Sequence, residues 1–143
     1  MQTPAALRHC FTYGTLMCAD IMAAVCGHPV RGEAATACGF ARHPVRGEAY
    51  PGMRPRPGQT VDGVLYRNLA PSALERLDAF EGAQYERKTI TVRLPDGSSI
   101  DADSYVFRST YRHLLEPGPW DFQRFLRTGR PRFVNRYVGY ARI

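Results

Sequence analysis

Lysine is almost missing from this chain: Lys88 stands alone among 19 basic side chains, the others being arginine. A bias that complete reflects codon composition as readily as a binding surface. No stretch approaches the roughly 18 consecutive apolar residues that cross a bilayer, so no membrane partner is expected. The opening MQTPAALRHCFTYG lacks the apolar run and cleavage site of a secretory leader, which makes the cytoplasm the expected location. There is no GxGxxG, no Walker loop and no GxSxG elbow, which removes the usual support for nucleotide-dependent and serine-hydrolase chemistry. Cys10, Cys18, Cys26 and Cys38 form no CxxC pair and are spaced too widely for a zinc knuckle. They are expected as buried thiols acting as small hydrophobes. His9, His28, His43 and His113 make neither HxH nor HExxH, so no metal site is expected.

What is present is a globular composition, with 44% hydrophobic and 22% charged residues over 143 positions. That suits a single domain spanning 1–143 with a real core. The net charge of +6 raises the question of nucleic acid. The most basic segment, 121–143, sets Arg124, Arg127, Arg130, Arg132, Arg136 and Arg142 against Asp121 alone. Its aromatic residues suit packing as well as stacking on bases, and the preferred reading is a solvated helical tail over about 118–143, without nucleic acid. Nothing demands more than a monomer.

The pattern along the chain is mixed. Residues 9–13 read as a strand ended by Gly14, 19–26 as a helix with Asp20 in its first turn, and 34–46 as extended. Pro51, Pro55 and Pro57 place 50–58 in a loop. A strand follows at 61–67, then a helix at 71–80 with Pro71 at its first position, one apolar face in Leu74, Leu77 and Phe80, and Gly82 as terminator. Residues 86–94 and 100–107 flank Pro95-Asp96-Gly97-Ser98 as a hairpin. Together these predict an α+β domain. HPVRGEA occurs twice, at 28–34 and 43–49, but two short copies do not make a repeat protein.

Two segments are more constrained than a scaffold needs. In Tyr13-Gly14-Thr15-Leu16, a strand end runs through glycine toward a helix, and amides there are suited to an anion. An ordinary turn remains the alternative. In Leu77 to Arg87, Glu81 falls at a helix end just before Gly82, where the dipole and burial both disfavour its charged form. A carboxyl tuned upward shuttles protons near neutral pH. The alternative there is an inert surface glutamate.

Taken together, Phe11-Thr12-Tyr13-Gly14-Thr15-Leu16-Met17, Val45-Arg46-Gly47, Tyr50-Pro51-Gly52, Gly63-Val64-Leu65-Tyr66 and Leu77-Asp78-Ala79-Phe80-Glu81-Gly82 with Tyr85 and Arg87 resemble, in order, the blocks of the gamma-glutamylcyclotransferase-like family. The likeness reaches its gamma-glutamylamine cyclotransferase and plant avirulence-induced-like branch and covers residues 9–107. Trp120-Asp121-Phe122 matches only loosely.

The resemblance implies a mixed-sheet, barrel-like domain and a cofactor-independent enzyme of acyltransferase or lyase type. Such an enzyme converts a small gamma-glutamyl amine or peptide to 5-oxoproline and the free amine. It implies substrate binding by Tyr13, Gly14, Thr15 and Leu16, with Glu81 as general acid/base. Tyr85, four residues beyond Glu81, is the preferred source of a cavity hydroxyl over Tyr50 and Tyr111, and Arg87 is read as structural, pairing with Asp78 or Glu86. The competing readings are a non-catalytic module for an acidic metabolite and a related amide cleavage or acyl transfer in the same pocket. Ala70 departs from the family pattern, where a capping serine often precedes the helix.

Overall fold

The computed structural model describes residues 7–130, together with the backbone of two short strands near the C-terminus. The elements are β1 (Arg8–Thr12), α1 (Ala19–Cys26), β2 (Gly32–Pro44), β3 (Pro51–Leu69), α2 (Pro71–Glu81), β4 (Tyr85–Arg93), β5 (Ser99–Phe107) and α3 (Phe122–Arg124), with β6 (Tyr137–Val138) and β7 (Ala141–Arg142) as a separate hairpin. The first five strands close a barrel in the order β1-β3-β2-β4-β5. Every joint is antiparallel except β1–β5, which meets in parallel at Cys10 and Asp103. The domain is thus a mixed-sheet α+β barrel, as the sequence pattern and the family resemblance predict.

Side-chain alternation splits the core into two layers. Phe11, Tyr13, Met53, Leu65, Ile90, Val92 and Val106 fill the barrel. Cys10, Tyr66, Leu69, Tyr85, Tyr105 and Phe107 alternate to the outer face, where Ile21, Met22 and Val25 of α1 and Leu74 and Leu77 of α2 cover them. The second helix starts at Pro71, whose missing N–H is no loss at that position. Its N-cap Ala70 offers no side-chain bond, and it stops at Gly82, where φ is 81°. The first helix ends similarly at Gly27.

The proline-rich segment is a strand and not a loop. Pro51 pairs with Pro44, Met53 with Arg42 and Pro55 with Phe40. Pro51, Pro55 and Pro57 share one parity, so their missing donors all fall at positions that owe β2 no hydrogen bond. Between Cys38 and Phe40 the register shifts by three, Gly39 alone facing residues 56–59, so the longer strand bulges between Pro55 and Thr60.

The C-terminal segment also differs from the helix expected there. Among the described residues of this segment, helical backbone is α3 and a π turn at Phe125–Gly129, with Asp121 as the cap, whose carboxylate accepts from the Gln123 and Arg124 amides. Further on, Tyr137–Val138 and Ala141–Arg142 are strand, and the rest of the expected tail lies outside the described residues. Cys10, Cys18 and Cys26 are buried, but Cys38 is exposed, since it falls beside the bulge on the solvent side of β2. No helix among the described residues is long and apolar enough to cross a membrane.

The tightest approach in the barrel is at Gly63, where a Cβ would lie 2.1 Å from the Thr12 carbonyl and 2.7 Å from the Phe11 ring. Gly63→Ala is expected to destabilise the fold by about 3 kcal/mol, the upper range for overpacking. A chemical-denaturation midpoint measures this.

Candidate active site

β1 leaves the barrel at Thr12 and the chain crosses Pro51 through Gly14, where a Cβ would sit 2.8 Å from the proline ring. Only glycine passes there. The chain then makes a 3-10 turn, Thr15–Met17, before α1 begins. The loop's amides thus lie near the start of that helix, in the short turn that precedes it.

All four carbonyls of this loop have donors. Arg42 Nη1 donates to Tyr13 O at 2.8 Å, and Met17 N to Gly14 O at 3.0 Å. Cys18 N donates to Thr15 O at 3.1 Å, and the Tyr66 hydroxyl to Leu16 O at 2.8 Å. The amides are treated oppositely: no described residue accepts from the N–H of Gly14, Thr15 or Leu16. These residues are nevertheless buried. Buried amides without protein partners are rare and ask for an explanation.

Facing them is Glu81, the last residue of α2. Glu81, Tyr13, Gly14, Thr15, Leu16, Tyr50, Pro51, Tyr85 and Tyr105 line one narrow cleft, joined by Phe11 and Thr12. Burial raises the Glu81 pKa from 4.5 to about 8, and the Asp78 carboxylate one helical turn earlier adds to the rise. No described basic side chain lies close enough to offset either effect. The dipole argument had foreseen the direction; desolvation is the larger cause.

The surrounding carboxylates are held differently. Asp78 accepts from the Tyr105 hydroxyl at 2.6 Å and pairs with Arg87 at 3.0 Å. Asp103, on the outer face of β5, takes Arg87 at 2.8 Å, Arg8 at 2.7 Å and the Thr89 hydroxyl at 3.0 Å. Although Asp103 is buried, those partners draw its pKa below the usual carboxylate value. Arg87 therefore has the structural role assigned from sequence, with Asp103 as an additional partner. The tyrosines are locked: Tyr85 donates to Pro51 O at 2.7 Å and Tyr13 to Tyr105 O at 2.5 Å. Tyr111 lies outside the cleft lining.

The cleft has room for about 20 Å³, little more than one water, so admitting a larger ligand requires its rim to open. Tyr50, half-buried with its ring 6.4 Å from that of Tyr85, stands at this rim. On the same outer face, beyond Tyr85 and Tyr105, lies a broader cavity of about 580 Å³ bordered by Arg8, Asp78, Arg87, Asp103 and Arg108. Its carboxylates are all committed to arginines, so the acid/base candidate belongs to the narrow cleft. Sequence reasoning missed Tyr105. The only signal for it was the shared face of Arg87 and Tyr105 across the hairpin. No cluster of metal-ligating side chains occurs among the described residues.

Comparison with known proteins shows the family and the fold. A family model described as gamma-glutamyl cyclotransferase, AIG2-like, matches residues 10–122. The chain belongs to that family. AIG2-like protein C of Arabidopsis thaliana is 29% identical over 87% of this chain and 72% of its own length. AIG2-like protein D of the same plant is 28% identical over 87% of this chain and 83% of its own length. The solution structure of another Arabidopsis thaliana protein superposes with a TM-score of 0.70 at 26% identity, covering 93% of this chain and 89% of that one. A solved gamma-glutamyl cyclotransferase shares the fold, with a TM-score of 0.64 at 18% identity over 71% of this chain and 66% of the other. Within this AIG2-like family member, the matched span contains the whole cleft.

The raised pKa of Glu81 has a consequence for stability. Below pH 4.5 the carboxyl is protonated whether the chain is folded or not. As pH climbs from 4.5 to about 8, the unfolded chain releases this proton more readily, and stability is lost. Glu81→Gln removes that titration. The variant is expected to gain on the wild type across this window, by a few kcal/mol at most, in urea denaturation followed against pH.

Proposed function

We propose that this protein is an enzyme that cyclises a small gamma-glutamyl amine or peptide, releasing 5-oxoproline and the free amine. The observation that carries the reading is the opposition of three amides without a partner among the described residues, at Gly14, Thr15 and Leu16, and one carboxyl with a pKa near 8, at Glu81, across a single cleft. The family relationship supports it independently.

In this reading the substrate's α-carboxylate lies on the three amides, which present positive dipole ends in a water-poor setting. Glu81, as carboxylate, accepts a proton from the neighbouring α-ammonium. The freed amine attacks the γ-carbonyl carbon and closes a five-membered lactam. The bond from that carbon to the leaving nitrogen breaks as Glu81 returns the proton to it. Over the cycle the α-ammonium loses two protons and the departing amine gains two as it becomes an ammonium ion, so no co-reactant is consumed. A group with a pKa near 8 suits both proton transfers at neutral pH. Ring closure is intramolecular, so confinement to one conformer supplies much of the acceleration. Tyr13 and Tyr85 shape the pocket wall, with both hydroxyls already committed to backbone carbonyls. The departing amine extends past Tyr85 and Tyr105 toward the broader cavity.

Release of 5-oxoproline from a panel of gamma-glutamyl amines and peptides tests the reading. Glu81→Gln is expected to remain folded and lose about 10²- to 10⁴-fold in kcat; full activity in the variant refutes the assignment. In the wild type, kcat/KM is expected to rise with pH toward a plateau, with a midpoint near 8 for the free enzyme. Asp78→Asn removes the charge that adds to this rise, so its midpoint should move to lower pH. An unmoved midpoint would show that Asp78 does not act on Glu81.

A further inference from the structure

Arg42 lies on β2 directly opposite Met53, and paired residues share a face, so its side chain points into the mouth of the barrel. A charge in that position needs dedicated partners. Its Nη1 donates to Tyr13 O at 2.8 Å and to Asp62 O at 3.2 Å. The guanidinium also lies over the Trp120 ring, 5.3 Å from its centre. That ring is fixed in turn: Trp120 Nε1 donates to Ala49 O at 3.0 Å, and Phe125 packs 5.5 Å away. Burial lowers the Arg42 pKa, while the Asp62 and Asp121 carboxylates work against the shift, so the group stays cationic.

The carbonyl it holds belongs to the peptide unit that carries the Gly14 amide. No peptide bond among the described residues is cis, so within this plane the carbonyl and the N–H point in opposite directions. Gly14 lacks the steric restraint of a side chain, and its flanking peptides are free to rotate unless something fixes them. Pinning Tyr13 O on the barrel side turns the Gly14 N–H to the other side, where Gly14 borders the cleft with Glu81.

We infer that Arg42, clasped by Trp120, is a positioning residue that orients the Gly14 amide toward the bound substrate's carboxylate. This rests on the cyclisation reading only for the identity of the ligand. It joins the segment after β5 to the site: Trp120 is not part of the cleft lining, yet it holds the group that sets the loop.

The test compares wild type, Arg42→Gln and Arg42→Lys. Glutamine removes the cation and its reach; lysine keeps the charge and its N–H donors but is a shorter, non-planar group that cannot lie flat over the Trp120 ring as the guanidinium does. The Gly14 amide signal in a nitrogen-15 correlation spectrum, binding of 5-oxoproline, and steady-state kinetics are read on each variant beside its melting curve. The expected result for Arg42→Gln is a displaced or broadened Gly14 signal, about tenfold weaker 5-oxoproline binding and a comparable rise in KM. In that variant kcat stays within about threefold and the pH midpoint of Glu81 is unmoved, a split that general destabilisation would not produce. Lysine is expected to fall between glutamine and wild type, and it decides the matter if the glutamine variant does not fold. An unaltered Gly14 signal with unaltered KM and binding overturns the inference. If the wild type releases no 5-oxoproline, the cyclisation reading fails, while the Gly14 signal still decides whether Arg42 orients that amide.

Discussion

The site depends on one carboxyl being kept out of water without a counter-ion. Glu81 is the last residue of α2, and the helix can stop there because Gly82 takes a conformation that side chains disfavour. One turn earlier, Asp78 could have attracted a cation to the same place. Instead its partners, Arg87 and Tyr105, hold it toward the outer face of β4 and β5, and Asp103 draws Arg8 and Arg87 farther along that face. The arginines near the cleft are thereby occupied. Glu81 itself is left without a cation, and burial, helped by the Asp78 charge one turn away, keeps its proton on to about pH 8. Had Arg87 reached Glu81 instead, the carboxyl would be an ordinary ion-paired anion and unfit to return a proton.

Local signals made much of this legible. Pro71 and Gly82 bracket a helix, and Pro95-Asp96-Gly97-Ser98 closes a hairpin, because each device acts within a few residues of itself. Glu81, Tyr13, Gly14, Thr15, Leu16 and Tyr85 were all singled out, and all border the cleft. Their roles rest on chemistry that the fold makes reasonable. What sequence could not give is what register and closure decide. Tyr105 reaches the cleft because β5 pairs with β4 in one register and with β1 in parallel. Arg42 reaches Tyr13 only because the proline-rich segment is a strand opposite it. Reading Pro51, Pro55 and Pro57 as loop removed the pairing that puts Arg42 in the barrel mouth.

The duplicated HPVRGEA shows the same limit in miniature. In the first copy Gly32 opens β2, where a Cβ would strike the Val64 side chain at 2.4 Å. In the second, Gly47 sits in a turn with φ of 75° and open space around its α-carbon. Identical heptapeptides therefore use glycine for unrelated reasons, close approach in one and backbone conformation in the other. The second copy also supplies Val45, which bridges to Leu115, and Ala49, whose carbonyl holds Trp120. Neighbours, not the heptapeptide, set each structure.

The loop after β1 shows how a barrel can build an anion site from backbone alone. A peptide segment has equal numbers of donors and acceptors, so it is electrically even-handed until one set is used up. Here the acceptors are consumed: Arg42 and Tyr66 take the outer carbonyls from opposite faces of the sheet, and the 3-10 turn takes the two between. The remaining amides have no partner among the described residues and share a sign of potential, with Pro51 pressed too close for any residue but glycine at the entrance. Closure of the barrel makes this possible, because Arg42 works from inside it and Tyr66 from outside, across the wall that β1 forms with β3. An open sheet would leave the inner face to water, and a solvated guanidinium there would hold the Tyr13 carbonyl weakly. The polarity of the cleft, amides on one side and a reluctant carboxyl on the other, is thus a property of the closed sheet before any substrate is considered.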